Sequence, residues 1–406
     1  MGGAESALLD ILGSLLDAEP DWKLDLIVSE DGPLVAKAKS LGVTTCVLAF
    51  KPSLARLGDS SAGGPSGNWT SRLSLLRQML FAGNAVRAYL ANLRKALRQL
   101  APDVIHTNGF KMHILGALAK PKDVPLIWHV HDYVQARPFM ARLMKRYQGR
   151  CKIALANSNS VALDIKAACG SSLTVQTVYN GIDTTVFSPI GDRLDLDSLS
   201  GLPPVAHDVI KIGMVATLAR WKGHEIFLRA LALIPPEFPI RGYIIGDALY
   251  QTDGSQYSIR ELQDMARELG ISDRVGFSGF VDQPASAMRA LDIVVHASTE
   301  PEPFGLVIVE GMACGRAVIV SEAGGAVELI QAKSQMSHQA NIATEINALG
   351  HAPGDAAQLA ERIIQLAGDP HLRKRLGAAG RATAEQRFNR ARLAKELIPI
   401  YESVRS

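Results

Sequence analysis

The feature that most constrains this chain is an alternation, run through twice, between short apolar segments and longer stretches with helical spacing. The first series places strand-like runs at residues 24–28, 44–48, 104–106, 126–131, 153–157 and 174–179. The second restarts at Val209, with runs at 210–216, 240–245, 274–277, 293–296 and 317–321. Runs separated by helix-length segments cannot close as hairpins. They call for parallel strands joined by right-handed crossovers. Two such series in 406 residues predict two successive α/β domains.

Between the series, residues 190–208 are rich in Pro, Gly, Asp and Ser and carry no periodic apolar face. They read as a linker, which sets the first domain at 1–189, the second at 209–388 and a closing helix at 389–406. That helix gathers Leu393, Leu397, Ile400 and Tyr401 on one face. Either domain could supply the surface it needs, and packing back on the first is one solution. Residues 51–70 contain too much Gly, Ser and Pro to pack and are expected to be a mobile loop. At the front, Gly2 and Gly3 precede an amphipathic helix marked by Leu8, Leu9, Leu12, Leu15 and Leu16. A doubly wound domain places a strand before such glycines, so either an upstream strand is missing from the first sheet, the reading favoured by the logic of βαβ units, or that sheet is built differently.

Composition excludes several functions. A formal charge of +3 gives no reason to expect a nucleic-acid partner. Cys46, Cys151, Cys169 and Cys314 are far apart, which argues against a zinc knuckle or disulfide framework and suits a reducing cytoplasm. No apolar run reaches the ~20 residues that span a bilayer. The histidines lack ligand spacing, so no metal site is expected. The one Asp-x-Asp, Asp195 and Asp197, lies in the linker rather than at a strand end. Neither a phosphate-binding Walker loop nor a Gly-x-Ser-x-Gly elbow occurs, and no Gly-x-Gly-x-x-Gly follows a strand.

The most informative segment, S-T-E-P-E-P-F-G-L-V-I-V-E-G-M-A-C-G, runs from Ser298 to Gly315 between two strand-like runs. Pro303 suits the first turn of a helix, whose unpaired amides and partial positive charge favour a diphosphate. Gly305 permits close backbone approach by a ligand. Glu302 at the helix mouth and Glu310 two turns in are expected to face one ligand, where carboxylates accept from sugar hydroxyls. Alone, that spacing equally describes two exposed helix charges.

This segment resembles the Glu-x7-Glu element of glycosyltransferase family 4, retaining enzymes of the GT-B fold. The resemblance implies two Rossmann-like domains facing across a cleft, with donor-sugar contact at Glu302 and nucleotide ribose at Glu310. It implies contacts to sugar and diphosphate from the amides of Phe304, Gly305, Leu306 and Val307. Residues 212–224, I-G-M-V-A-T-L-A-R-W-K-G-H, resemble the family's first strand and loop of the second domain. Lys222 matches its diphosphate-binding lysine. Thr217 stands where the family has an arginine, with Arg220 near enough to substitute. The alternative for Lys222 is a solvated surface lysine. Asn180-Gly181 resembles the turn that closes the first domain. Gly324-Gly325 resembles a ligand-approach turn of the second, or is a plain turn. Residues 331–346 read as an insertion. In the first domain His131, ending the run at 126–131, resembles a histidine near the donor sugar; the alternative is a hydrogen-bonded core histidine. His129 and His106 are weaker candidates.

The implied function is metal-independent, retaining hexosyl transfer from a nucleoside-diphosphate sugar to a glycan or lipid-linked acceptor, without a cofactor. Lys222 and Arg220 would stabilise the departing diphosphate, Glu302 would orient the sugar, and His131 would close over it. Two rivals remain: a nucleotide-sugar-binding remnant without catalysis, motivated by Thr217 and the missing strand, and a nucleotide-sugar epimerase of the same fold. The basic stretch 71–100, with Arg137, Arg142, Lys145, Arg146 and Arg150, suggests peripheral contact with an anionic membrane, or simply a solvated face. The expected location is the cytoplasm, including the inner face of the membrane.

Overall fold

A computed structural model describes residues 2–50, 69–248, 254–330 and 346–405, with backbone only over 69–82. The chain divides into two compact units, residues 1–179 with 391–406, and residues 180–390.

In the first unit, β1 (Asp25–Val28) and β2 (Thr44–Val47) pair in parallel as a two-stranded sheet. A four-stranded parallel sheet holds β3 (Ile105–Asn108), β4 (Leu126–Val130), β5 (Ile153–Ala156) and β6 (Val175–Thr177), in that order. β4 shows why its sequence is apolar at every position but His129. Leu126, Trp128 and Val130 point into a core with Tyr89, Leu93 and Leu97 of the helix Trp69–Leu100. Ile127 points the other way, into a core with Leu393, Leu397 and Ile400. Side chains alternate across a strand, so a sheet covered on both faces favours apolar residues at both, and the buried exception in β4, His129, is hydrogen-bonded.

The cover on the second face is the helix Ala391–Arg405, which packs beside the helix Gly3–Ala18 and donates its Ala394 amide to Ser14 Oγ, 3.0 Å away. Each fully buried Leu or Ile there contributes about 1.5–3 kcal/mol. The closing helix is thus part of the first unit. The expected loop at 51–70 lies outside the described residues as far as 68; Trp69 already begins a helix.

The second unit has six parallel strands in the order β12-β11-β10-β7-β8-β9. They are β7 (Ile210–Val215), β8 (Ile240–Ile245), β9 (Val275–Gly279), β10 (Ile293–His296), β11 (Ala317–Ser321) and β12 (Leu349–His351). The chain winds outward from β7 through β8 to β9, then returns to β10 beside β7 and winds the opposite way. The boundary between β7 and β10 is therefore a topological switch point, where the loops leaving two neighbouring strands diverge and a crevice opens at their carboxyl ends.

Two expectations are corrected here. Residues 190–208 do not form a free linker. Leu196 is fully buried, and buried Asp197 accepts from Tyr243 Oη (2.5 Å), Arg241 Nη1 (2.8 Å) and Lys211 Nζ (3.2 Å). Burial alone would raise its carboxyl, but these donors prevail and lower it to about 2. The Asp-x-Asp is thus a structural anchor of the second unit, whose chain begins at Asn180 rather than after Pro189. β12 was also unforeseen. The stretch read as an insertion lies outside the described residues as far as 345, and the sheet resumes at Leu349.

Candidate active site

The switch point brings together two loops that are distant in sequence. The first leaves β7 and forms a single turn over Arg220–Lys222, ending at Gly223. Gly223 has φ of 80°, and a Cβ there would lie 1.9 Å from the Ala297 carbonyl oxygen. Only glycine allows the loop to lie directly on the chain leaving β10. The Thr299 amide donates to the Trp221 carbonyl at 2.8 Å, fastening the two segments.

That contact sets Lys222 against Glu302. The ammonium lies 3.0 and 2.7 Å from the two carboxylate oxygens, with side chains 22% and 13% exposed. Oε2 also accepts from Ser298 Oγ at 2.9 Å and from His296 Nε2 at 3.2 Å. A carboxylate cannot donate, so His296 carries its proton on Nε2. Burial would push Glu302 upward; the Lys222 charge and the His296 hydrogen bond outweigh it and hold the carboxyl well below its usual range. The main chain of Glu302 is pinned as well, since its carbonyl accepts from the Gly325 amide at 2.7 Å. Gly324-Gly325 thus fixes the backbone of Glu302.

The helix after Glu302 spans Leu306–Ala313, with Gly305 as its cap at φ 98°. This corrects the expected start at Pro303. Pro303 precedes the left-handed cap, and a Cβ on residue 305 would meet Ile308 Cδ1 at 2.7 Å. The amides of Leu306 and Val307 form the first turn, where backbone N–H groups favour an anion. Phe304 is buried against Phe388, ring centroids 5.9 Å apart, so its side chain is structural and only its backbone can serve a ligand. Glu310 is half-buried and stands in the second turn of this helix, nearer its mouth than the expected two turns.

Arg220 and Lys222 part ways. Arg220 Nη2 binds Glu261 at 2.8 Å, its Nε donates to the Gly254 carbonyl at 3.0 Å, and its guanidinium lies 4.2 Å from the Tyr257 ring centroid. These partners of Arg220 are on the side of the helix Ile259–Glu268, whereas Lys222 binds Glu302. Thr217 is half-buried in the loop after β7. Sequence reasoning missed His296 and Ser298. Their signal was position: the last residue of β10 and the second residue beyond it, just ahead of Glu302.

In the first unit, His131 follows the last residue of β4. Its Nε2–H donates to Asn108 Oδ1 at 2.9 Å, and its carbonyl accepts from Asn157 Nδ2 at 3.2 Å. Burial lowers its pKa to about 4, so at neutral pH the ring is uncharged. The His129 ring lies 4.2 Å from it, centroid to centroid. His129 Nδ1 meets His106 Nε2 at 3.2 Å, and His106 Nδ1 meets the Tyr401 hydroxyl at 2.7 Å. His106 and His129 thus form a buried polar chain that reaches the closing helix. Among the described residues no group of three or more His, Cys, Asp or Glu is placed to hold a metal ion, and no helix is long and apolar enough to cross a membrane.

Comparison with known proteins finds relatives for both halves of the chain. A family model described as glycosyl transferases group 1 matches residues 203–383, and one described as Glycosyltransferase Family 4 matches residues 34–186. A D-inositol 3-phosphate glycosyltransferase of Streptomyces bingchenggensis is 28% identical over 317 residues, 74% of this chain and 66% of the relative. A second such enzyme, from Catenulispora acidiphila, is 31% identical over 273 residues, 63% of this chain and 61% of the relative. The chain thus spans about two thirds or less of the length of these curated relatives. The crystal structure of HepE from Anabaena in complex with UDP-glucose superimposes with a TM-score of 0.76 at 26% identity, covering 99% of this chain and 96% of that one. With its two halves matched in order by the two family models, and a structural likeness along its whole length, the chain belongs to glycosyltransferase family 4 and has the GT-B fold.

Proposed function

We propose that the chain transfers a hexose, with retention at the anomeric carbon and without a metal ion, from a nucleoside-diphosphate sugar to a glycan or lipid-linked acceptor. The observation that carries this reading is the Lys222–Glu302 pair at the mouth of the helix Leu306–Ala313. A diphosphate leaving group gains negative charge as the glycosidic bond breaks. A fixed ammonium and helix-end amides therefore act most strongly on the transition state. Lys222 has three N–H groups; two reach Glu302, leaving the third for a phosphate oxygen. Glu302 orients the sugar, Glu310 takes the ribose, and the backbone from Phe304 to Val307 meets the diphosphate. No carboxylate is assigned as nucleophile; the acceptor attacks from the face the diphosphate leaves. Neutral His131 serves as a hydrogen-bonding group toward the sugar rather than as a cation.

HepE, solved with UDP-glucose, supports a uridine-based donor. Exposed Arg87, Arg94, Lys95 and Arg98, with Arg142, Lys145, Arg146 and Phe139 of the helix Pro138–Tyr147, support peripheral contact with an anionic membrane from the cytoplasmic side. A second reading, donor binding without transfer, is favoured by Thr217 in an arginine's place and by the commitment of Arg220 to Glu261. Incubation with labelled UDP-sugars separates them. Transfer, or slow release of sugar with its anomeric configuration retained, supports the enzyme. Binding without either outcome supports the second reading, and an altered sugar points to an epimerase.

A further inference from the structure

We propose that the first unit carries a separate site for a phosphate-type anion, in the basic cavity beneath β4 and β5. This cavity, about 640 Å³, is bounded by Lys120, Lys122, Asp123, Arg150, Lys152 and Arg405. It takes in the loop that enters β4 and the turn that enters β5, so it lies at the amino ends of those strands. Reactive ligands of open α/β sheets bind at the opposite, carboxyl ends, where His131 stands. The cavity is therefore distinct from the donor site argued above and does not rest on it.

Two features set this cluster apart from an ordinary solvated face. First, two of its cations are held by main chain rather than by carboxylates. Lys120 Nζ donates to the carbonyls of Pro121 (3.2 Å), Lys122 (3.1 Å) and Val124 (2.9 Å), and Arg150 Nη1 donates to that of Ala117 (2.9 Å). Carbonyl contacts fix a cation in place without cancelling its charge. Second, the charge is unbalanced. Arg405 pairs with Asp103 at 2.9 Å, whereas Lys120, Lys122, Arg150 and Lys152 make no ion pair among the described residues. Burial, with the charges of Arg150 and Lys152, depresses the Lys120 ammonium, with Asp123 opposing. A concave, positively charged surface of this kind concentrates anions. Lys120, its three N–H groups taken by carbonyls, contributes charge alone; the ammonium groups of Lys122 and Lys152 with the Arg150 guanidinium suit a phosphate, bound either as a soluble phosphate compound or as a lipid headgroup.

The test uses the full chain, two variants and their combination. Lys122 and Lys152 are exposed, so Lys122→Glu with Lys152→Glu should fold, which thermal unfolding verifies. Calorimetric titration with inorganic pyrophosphate reports on soluble phosphate, and Lys222→Met marks any binding that belongs to the donor site. Co-sedimentation with vesicles of phosphatidylglycerol in phosphatidylcholine, against phosphatidylcholine alone, reports on headgroups. The expected result is pyrophosphate or anionic-vesicle binding that the double charge reversal weakens about tenfold or more and that Lys222→Met leaves intact. Pyrophosphate dependence would name a soluble anion as the source, and vesicle dependence a headgroup. Wild-type protein that binds neither probe, or binding that survives the charge reversal combined with Lys222→Met, overturns the site. Loss of binding only in Lys222→Met would also overturn it while leaving the donor site standing.

Discussion

Replacing Lys222 with Met should destabilise the second unit by about 3 kcal/mol at neutral pH. The substitution keeps the aliphatic bulk and removes the charge, leaving Glu302, only 13% exposed, with its His296 and Ser298 donors. Removing one partner of a buried pair costs about 3–5 kcal/mol, because the other charge stays desolvated. The residual exposure of both side chains places this case at the low end. Three kcal/mol lowers the folded population relative to the unfolded by roughly a hundredfold. The pH dependence carries a sign. The wild-type carboxyl is held below its ordinary 4.5, so its stabilising contribution is full above that pH and is lost progressively as pH falls from there toward the depressed folded-state pKa. In the variant, burial acts without the ammonium and favours the protonated acid. The difference between the two proteins should therefore shrink below pH 4.5. Trp221, the one tryptophan within 180–390, gives a local readout by fluorine NMR of fluorotryptophan-labelled protein in a urea titration. Adding Glu302→Gln to the variant should restore most of the loss, since the orphaned charge disappears. A loss under about 1 kcal/mol, or no rescue by Glu302→Gln, would refute the electrostatic account. In the transfer assay the same variant should lower turnover more than donor affinity.

The other expectations are briefer. Desolvation of buried His113 and His129 and half-buried His106 and His131 depresses their pKa values, to about 3 for His106 and His113, well below normal for His129 and about 4 for His131, so the unfolded chain takes up protons first as pH falls below 6.5. Each contributes a loss of about 1.4 kcal/mol per pH unit; the first unit should unfold near pH 5, and persistence of native Trp128 signal through pH 4 would contradict this. Gly223→Ala should reduce both stability and turnover, because its methyl would meet the Ala297 carbonyl oxygen at 1.9 Å; a variant with normal turnover would show that the loop need not lie there. Arg220→Ala should cost about 1 kcal/mol or less and reduce turnover far less than Lys222→Met, whereas equal reductions would return Arg220 to the diphosphate. Glu310→Gln should weaken nucleotide binding, measured by calorimetry, and unchanged affinity would remove it from the ribose.

The central strands were legible because burial on both faces leaves them few choices but apolar residues, as Leu126, Ile127, Trp128 and Val130 show. What remained hidden depended on partners distant in sequence. Asp197 looked like a solvated linker residue, and only Lys211, Arg241 and Tyr243 explain its burial. The helix start was misplaced by two elementary preferences acting on neighbouring residues. Pro303 satisfies the rule for a first turn, yet Gly305 has the left-handed φ that caps the helix, so helical geometry begins one residue later at Leu306. His296 and Ser298 were passed over because nothing local marks a strand-end histidine as a donor to a carboxylate six residues on.

Glu302 and Lys222 were named from motif resemblance, but the reason they meet lies in topology. The sheet order sets β7 and β10 side by side although their loops are 80 residues apart. Gly223 then removes the one atom that would hold the loops apart. Transition-state stabilisation by a fixed charge requires that the charge not reorganise as the bond breaks. In this chain that rigidity comes from a carboxylate bound by three side chains, with its main-chain carbonyl also tied to Gly325. A substitution at His296 that preserves donor affinity but lowers turnover would locate catalytic power in that rigidity, whereas equal losses in both would assign His296 to binding alone.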